Sequence, residues 1–136
     1  MNADDLIGIP FVEGGRTLEG LDCAGLAQEV LRRAGFEPPA LPSVWVQDPH
    51  AAVERWGSAW ECIGKAWRSA ERVGDIIVSD PGCLGRSVHL SVVVGSRPQR
   101  VLTTVIGQSV HATRPCRADE VVGVYRLKPP PSRVKG

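Results

Sequence analysis

A chain of 136 residues has the length for one domain around one hydrophobic core. Hydrophobic residues make up 43% and charged residues 23%, and the net charge is +1. That composition fits a globular protein and holds no basic or acidic block of the kind that binds nucleic acid or a membrane surface.

No apolar run is long enough to cross a bilayer, so membrane insertion is not expected. The opening residues Met1-Asn2-Ala3-Asp4-Asp5 are acidic, whereas a secretory signal needs a basic start and a longer apolar stretch. Synthesis in the cytoplasm without a signal peptide is the expectation. Cys23, Cys62, Cys83 and Cys116 stand apart, with no Cys-x-x-Cys pair. Neither a disulfide framework nor a zinc site is expected, and no metal or cofactor is called for.

Residues 6–20 read as an extended segment ending in turn chemistry at Ile9-Pro10, Gly14-Gly15 and Gly20. A helix follows. Asp22 is its N-cap, because a carboxylate there accepts from the free N–H groups of the first turn. Apolar or small residues at 23, 26, 27, 30, 31 and 34 form the 3.6-residue stripe of a core-facing helix. Gly35 stops it, and Pro38-Pro39 prevent its return. Residues 36–47 are a proline-rich loop. Asp48-Pro49 pairs an N-cap with proline at the first helical position and opens a short helix to about Trp56. Residues 57–73 have no clear period.

From Gly74 the character is β. Asp75–Ser79 and Ser87–Val94 are predicted strands, the second ended by Gly95-Ser96-Arg97-Pro98. Arg100–Ile106 and Ser109–Thr113 flank Gly107-Gln108 as a hairpin. Val121–Leu127 is the last strand, and residues 129–136 form a Pro-rich tail. One helix followed by antiparallel strands predicts an α+β domain over residues 1–128, with the helix packed on a curled sheet.

Cys23 lies in the first turn of the helix. There the helix dipole and unpaired N–H groups favour thiolate over thiol, and the Cys23 backbone N–H can hold an oxyanion. A cysteine that starts an apolar stripe is also, ordinarily, a small hydrophobe. His89 follows 66 residues later in Val88-His89-Leu90-Ser91-Val92-Val93-Val94. Alternation puts Val88, Leu90, Val92 and Val94 on one face and His89 and Ser91 on the other. A histidine on the more polar face can meet the helix tip and serve as base and then acid. His50 is expected to face solvent in its short helix.

The segments Asp22-Cys23-Ala24-Gly25-Leu26, Gly74-Asp75-Ile76-Ile77-Val78 and His89-Leu90-Ser91-Val92-Val93-Val94-Gly95 resemble the successive motifs of NlpC-type cell-wall cysteine peptidases. The segments Leu6–Gly15 and Val121–Arg126 resemble more specifically the branch found in bacteriophage tails and related particles. The resemblance covers residues 6–127. It implies a compact papain-like fold, with Cys23 as nucleophile and His89 as base. The implied substrate is the peptide part of peptidoglycan, cut next to a D-γ-glutamyl residue. The implied partners are other tail or tail-tip proteins, and the implied location is a virion tail acting at the bacterial wall.

Two departures stand out. Many relatives carry a tyrosine where this chain has Phe11, which cannot donate to an oxyanion. The third catalytic residue, which orients the histidine, is a polar residue on the following strand, often the His of a His-Ala pair. His111-Ala112 matches by identity and Thr103 by spacing. A turn centred on Gly107 makes 103 and 111 cross-strand partners, whereas a two-residue loop at Gly107-Gln108 sets His111 opposite Thr104. His111 is the first expectation and Thr103 the alternative.

Asp22 is expected chiefly as an N-cap. In the family the matching acid borders the cleft, where it can meet an amine of the stem peptide. Ser91 shares the His89 face and is a candidate substrate contact. Trp45, Trp56, Trp60 and Trp67 fall within 23 residues and suit either a core or the wall of a groove. Cys62, Cys83 and Cys116 read as packing residues, and residues 80–87 as a rim. A structural tail-tip subunit and a secreted antibacterial effector are the competing readings.

Overall fold

The structure, a computed structural model, describes residues 2–37, 59–79, 89–113 and 120–128. The short helix expected from Asp48, the 80–87 rim, the Pro-rich tail, His50, Trp45, Trp56, Cys83 and Cys116 lie outside those residues.

Among the described residues the order is β1 (Arg16–Thr17), β2 (Gly20–Leu21), α1 (Cys23–Arg33), β3 (Trp60–Gly64), β4 (Ile76–Ser79), β5 (His89–Ser96), β6 (Gln99–Thr103), β7 (His111–Thr113) and β8 (Val121–Leu127). Strands β1 and β2 form a small hairpin. The other six make one antiparallel sheet in the order β3-β8-β4-β5-β6-β7. The described residues are thus α+β, with one helix on an antiparallel sheet. No helix of the described residues is long and apolar enough to cross a membrane.

The helix starts where capping chemistry says it should. Asp22 is extended and its side chain accepts from Gly25 N at 2.7 Å. Ala24, Leu26, Ala27, Val30 and Leu31 are buried against Ile76, Val78, Leu90, Val92, Val94 and Leu102. The helix ends past Arg33, and Gly35 takes φ +95°, the left-handed conformation that glycine adopts without a Cβ penalty.

The reverse face of the sheet is also apolar. Ile77, Val93, Val101 and Val124 pack there with Ala70, Ile63 and Trp67. Burial on both faces explains the unbroken Val92-Val93-Val94 run. His89, Ser91 and Thr103 lie on this reverse face, which is the more polar one at the start of β5. Beyond Ser91, the His89 side of β5 is core, and the helix lies on the Leu90 side.

Three other differences bear on the site. Residues 59–73 hold an edge strand, β3, and a 3-10 turn at Trp67–Ser69. A register shift between Cys62 and Gly64 breaks the strand's alternation, which hides it from periodicity. Strand β6 begins at Gln99, directly after a tight turn at Arg97-Pro98, and stops at Thr103. The segment to β7 then turns at Gly107, φ +83°. Thr103 pairs with His111, which is the register of the turn centred on Gly107.

The segment before the helix lies beside the far end of that hairpin. Gly8 N donates to Val110 O, Val110 N to Ile9 O and Phe11 N to Gln108 O, at 2.9, 2.9 and 3.0 Å. Leu21 N donates to Pro10 O. These bonds fix the approach to Cys23 from both sides.

Candidate active site

Cys23 is the first residue of α1 and is partly buried. Hydrogen bonding from the Leu90 backbone acts on its thiol, as does that from the N–H groups of Ala24 and Cys23 itself. Leu90 lies one residue beyond Ser91–Thr103, the last pair between β5 and β6. The thiol therefore stands at the edge of β5 where β6 has ended, against the peptide that follows His89.

His89 opens β5 and is partly buried. Its Nε2 is 2.6 Å from Thr103 Oγ1, which is also 3.0 Å from the Leu90 carbonyl. A hydroxyl has one proton, and a carbonyl only accepts. Both contacts are satisfied when Thr103 donates to Leu90 O and accepts from His89 Nε2–H. That arrangement assigns the Nε2–H tautomer and leaves Nδ1 as the basic nitrogen. On the other side of β5, Ser79 donates to the His89 carbonyl at 3.4 Å, in the register Ser79–His89.

The side chain that holds the His89 ring is thus Thr103, the alternative, and not His111, the first expectation. His111 Nδ1–H donates to Ser109 O at 2.7 Å, while His89 Nε2 is held by Thr103. The reason lies in register. Thr103 sits directly across from Ser91, on the face His89 uses, whereas His111 is one strand further out. His111 still acts at a distance, because a positive charge there disfavours a second one on His89.

The electrostatics correct a second expectation. The Cys23 thiol is pushed up to about 11, first by burial and then by the Asp22 carboxylate, against the pull of the surrounding N–H groups. Burial, followed by the His111 charge, pushes His89 down to about 4. Desolvation outweighs the helix terminus. At neutral pH the resting pair is thiol plus neutral imidazole.

Asp22 is 4% exposed and committed to structure. Its Oδ1 accepts from Gly25 N and from Arg16 Nη1 at 2.6 Å, and its Oδ2 from Gly14 N at 3.1 Å. These contacts fix the loop over the first helical turn. Gly25 completes the fit, since a Cβ there would run into the Gly15 carbonyl oxygen. The amine-binding role expected from the resemblance finds both carboxylate oxygens already engaged.

Phe11 is partly buried and bridges Leu21 in parallel, so the segment lacking the tyrosine hydroxyl does run beside the helix approach. Ser91 is 3% exposed opposite Thr103 and belongs to the packed face, which corrects its candidacy as a substrate contact. Trp60 is core, and Trp67 donates to Gln99 Oε1 at 2.9 Å on the reverse face. Among the described residues no group of three His, Cys, Asp or Glu side chains is placed to hold a metal.

Sequence reasoning missed Asp75. This carboxylate is 1% exposed and accepts a two-pronged pair from Arg126 at 2.8 and 2.7 Å, together with Glu71 N and Arg72 N. The Gly74-Asp75 signal was legible as a strand start, but its partner lies 51 residues away. No protein-family model matches the chain, and no curated protein matches it.

Proposed function

We propose that the chain is a cysteine peptidase of the NlpC type, with a compact papain-like fold, acting on peptide bonds in peptidoglycan stem peptides next to D-γ-glutamyl residues. The observation that carries this reading is the Thr103 hydroxyl. It fixes His89 through Nε2 while the Cys23 thiol lies against the adjoining Leu90 peptide. Ordinary packing of a strand histidine needs one satisfied nitrogen. It does not need a helix-tip cysteine at the same peptide.

In this reading the Cys23 sulfur attacks the substrate carbonyl carbon as its proton passes to His89 Nδ1. The charge formed on the carbonyl oxygen is held by the Cys23 N–H at the helix start. Phe11 adds no donor, so less stabilisation is on offer than in relatives with tyrosine. Collapse breaks the C–N bond, and the leaving amine takes the proton back from His89. The resulting thioester is hydrolysed by water that His89 deprotonates, releasing the acid and restoring the thiol.

The motifs at residues 6–15 and 121–126 support placement in a phage tail or tail-like particle. Such a particle delivers its enzymes to the wall from outside. One observation favours a second reading, a structural tail-tip subunit that keeps the fold. The resting Cys23 and His89 are both neutral, and a purely structural pair would be so as well.

The test is digestion of purified peptidoglycan by the wild type and by Cys23→Ala, with new amino termini identified by mass spectrometry. Release by the wild type alone supports the peptidase. No release by either, at any enzyme concentration, supports the structural subunit.

A further inference from the structure

Eight arginines fall within the described residues. Arg16, Arg32, Arg33, Arg100 and Arg126 each hold a carboxylate at 2.9 Å or closer. Arg68, Arg72 and Arg97 hold none among the described residues, and all three line one concavity of about 430 Å³. It lies between the 67–72 segment and the β5–β6 turn. That is the opposite end of β5 from His89, about 23 Å away for seven residues of strand rise. The feature is therefore separate from the Cys23 site and stands whether or not Cys23 is a nucleophile.

The walls are built rather than incidental. Gln99 Nε2 donates to Ala70 O at 2.7 Å and to Trp67 O at 3.3 Å, while Trp67 Nε1 donates to Gln99 Oε1. That cross-link ties β6 to the 67–70 turn. Asp75 Oδ2 accepts from Glu71 N and Arg72 N, so the segment bearing Arg72 is held from the buried side. Glu71 lies on the same rim and opposes an anion. Three guanidinium groups less this one carboxylate still leave a formal charge of +2. Ser96 completes the polar lining.

We propose that this concavity binds a phosphate group, and that it serves as an anchoring site distinct from the catalytic one. Three arginines lining one concavity suit a tetrahedral anion with several oxygens better than a single planar carboxylate. The concave shape suits a head group better than the flat surface of a protein partner. The phosphate belongs either to a small phosphomonoester or to the repeating phosphodiester of an anionic polymer.

The experiment is an amide-resolved NMR titration of the full chain at fixed ionic strength. The probes are inorganic phosphate, a glycerol-phosphate oligomer, an acidic glutamate peptide and sodium chloride. Saturable shifts confined to residues 68–72 and 96–99 are expected with both phosphate probes. An oligomer that binds more tightly per phosphate than inorganic phosphate identifies the polymer, and equal affinity per phosphate identifies the small ligand. Affinity should fall about tenfold in Arg97→Gln and about a hundredfold in Arg72→Gln/Arg97→Gln, as charge-assisted contacts are removed. Arg32→Gln, on the helix, should leave it unchanged. Linear shifts, shifts reproduced by chloride, or affinity indifferent to both arginine substitutions would overturn the proposal. So would saturation by the glutamate peptide without saturation by phosphate, which would make the site a protein-docking surface.

Discussion

Replacing Thr103 with valine removes one hydroxyl and almost no volume. It also removes two buried contacts at once, to His89 Nε2 and to the Leu90 carbonyl. Thr103 is 2% exposed, so water does not readily replace either. Each partner left unsatisfied costs about 1–3 kcal/mol. Relaxation of the imidazole recovers some of that, and a net loss of about 2–3 kcal/mol is expected. The measurement is chemical denaturation, paired with the 15N shifts of the His89 ring. The wild type should show the Nε2–H tautomer. Thr103→Val should show a mixture of tautomers and slower alkylation of Cys23. Thr103→Ser should restore the tautomer and most of the stability. A wild-type Nδ1–H tautomer would refute the reasoning. So would a Thr103→Val protein within about 0.5 kcal/mol of wild type with an unchanged ring spectrum.

Removal of the Asp22 charge should act on stability and on the thiol in opposite senses. Asp22→Asn keeps a capping oxygen but loses the Arg16 pair. It should cost about 1 kcal/mol in denaturation while lowering the Cys23 titration midpoint, followed by thiolate absorbance. The buried Asp75–Arg126 pair should be far more demanding. Asp75→Ala strands a guanidinium and two backbone N–H groups, and a loss of about 3–5 kcal/mol is expected from the same assay. Stability should also depend on pH through His89. Its folded value of about 4 lies below the ordinary 6.5, so the unfolded chain binds the extra proton first. Stability is therefore full above about pH 6.5 and declines as pH falls towards 4. The decline should reach about 1–3 kcal/mol and be absent in His89→Gln.

The parts of the fold written in local chemistry were legible in the sequence. Asp22, the apolar stripe and Gly35 bound the helix because capping, burial and left-handed φ each act within a few residues. The valine run of β5 and the Gly107 turn were readable for the same reason. What was hidden depends on distant partners. Strand β3 loses its period at a bulge and is recognised only beside β8. The buried role of Asp75 needs Arg126. Choosing between Thr103 and His111 required the length of β6. Once it stops at Thr103, that residue faces His89 and His111 falls a strand away. The charge state of Cys23 was hardest to foresee, because a helix terminus is local whereas desolvation is set by everything packed around it.

Covalent chemistry at Cys23 is the point on which the proposed function turns. The most direct measurement mixes the protein with a synthetic stem peptide containing the D-γ-glutamyl bond, quenches with acid and weighs the intact chain. A thioester adduct that maps to Cys23 is expected, lost with hydroxylamine and absent in Cys23→Ser, with free amine released in the same burst. Cleavage of the peptide without any adduct, undiminished in Cys23→Ser, or neither cleavage nor adduct in the wild type, would contradict it.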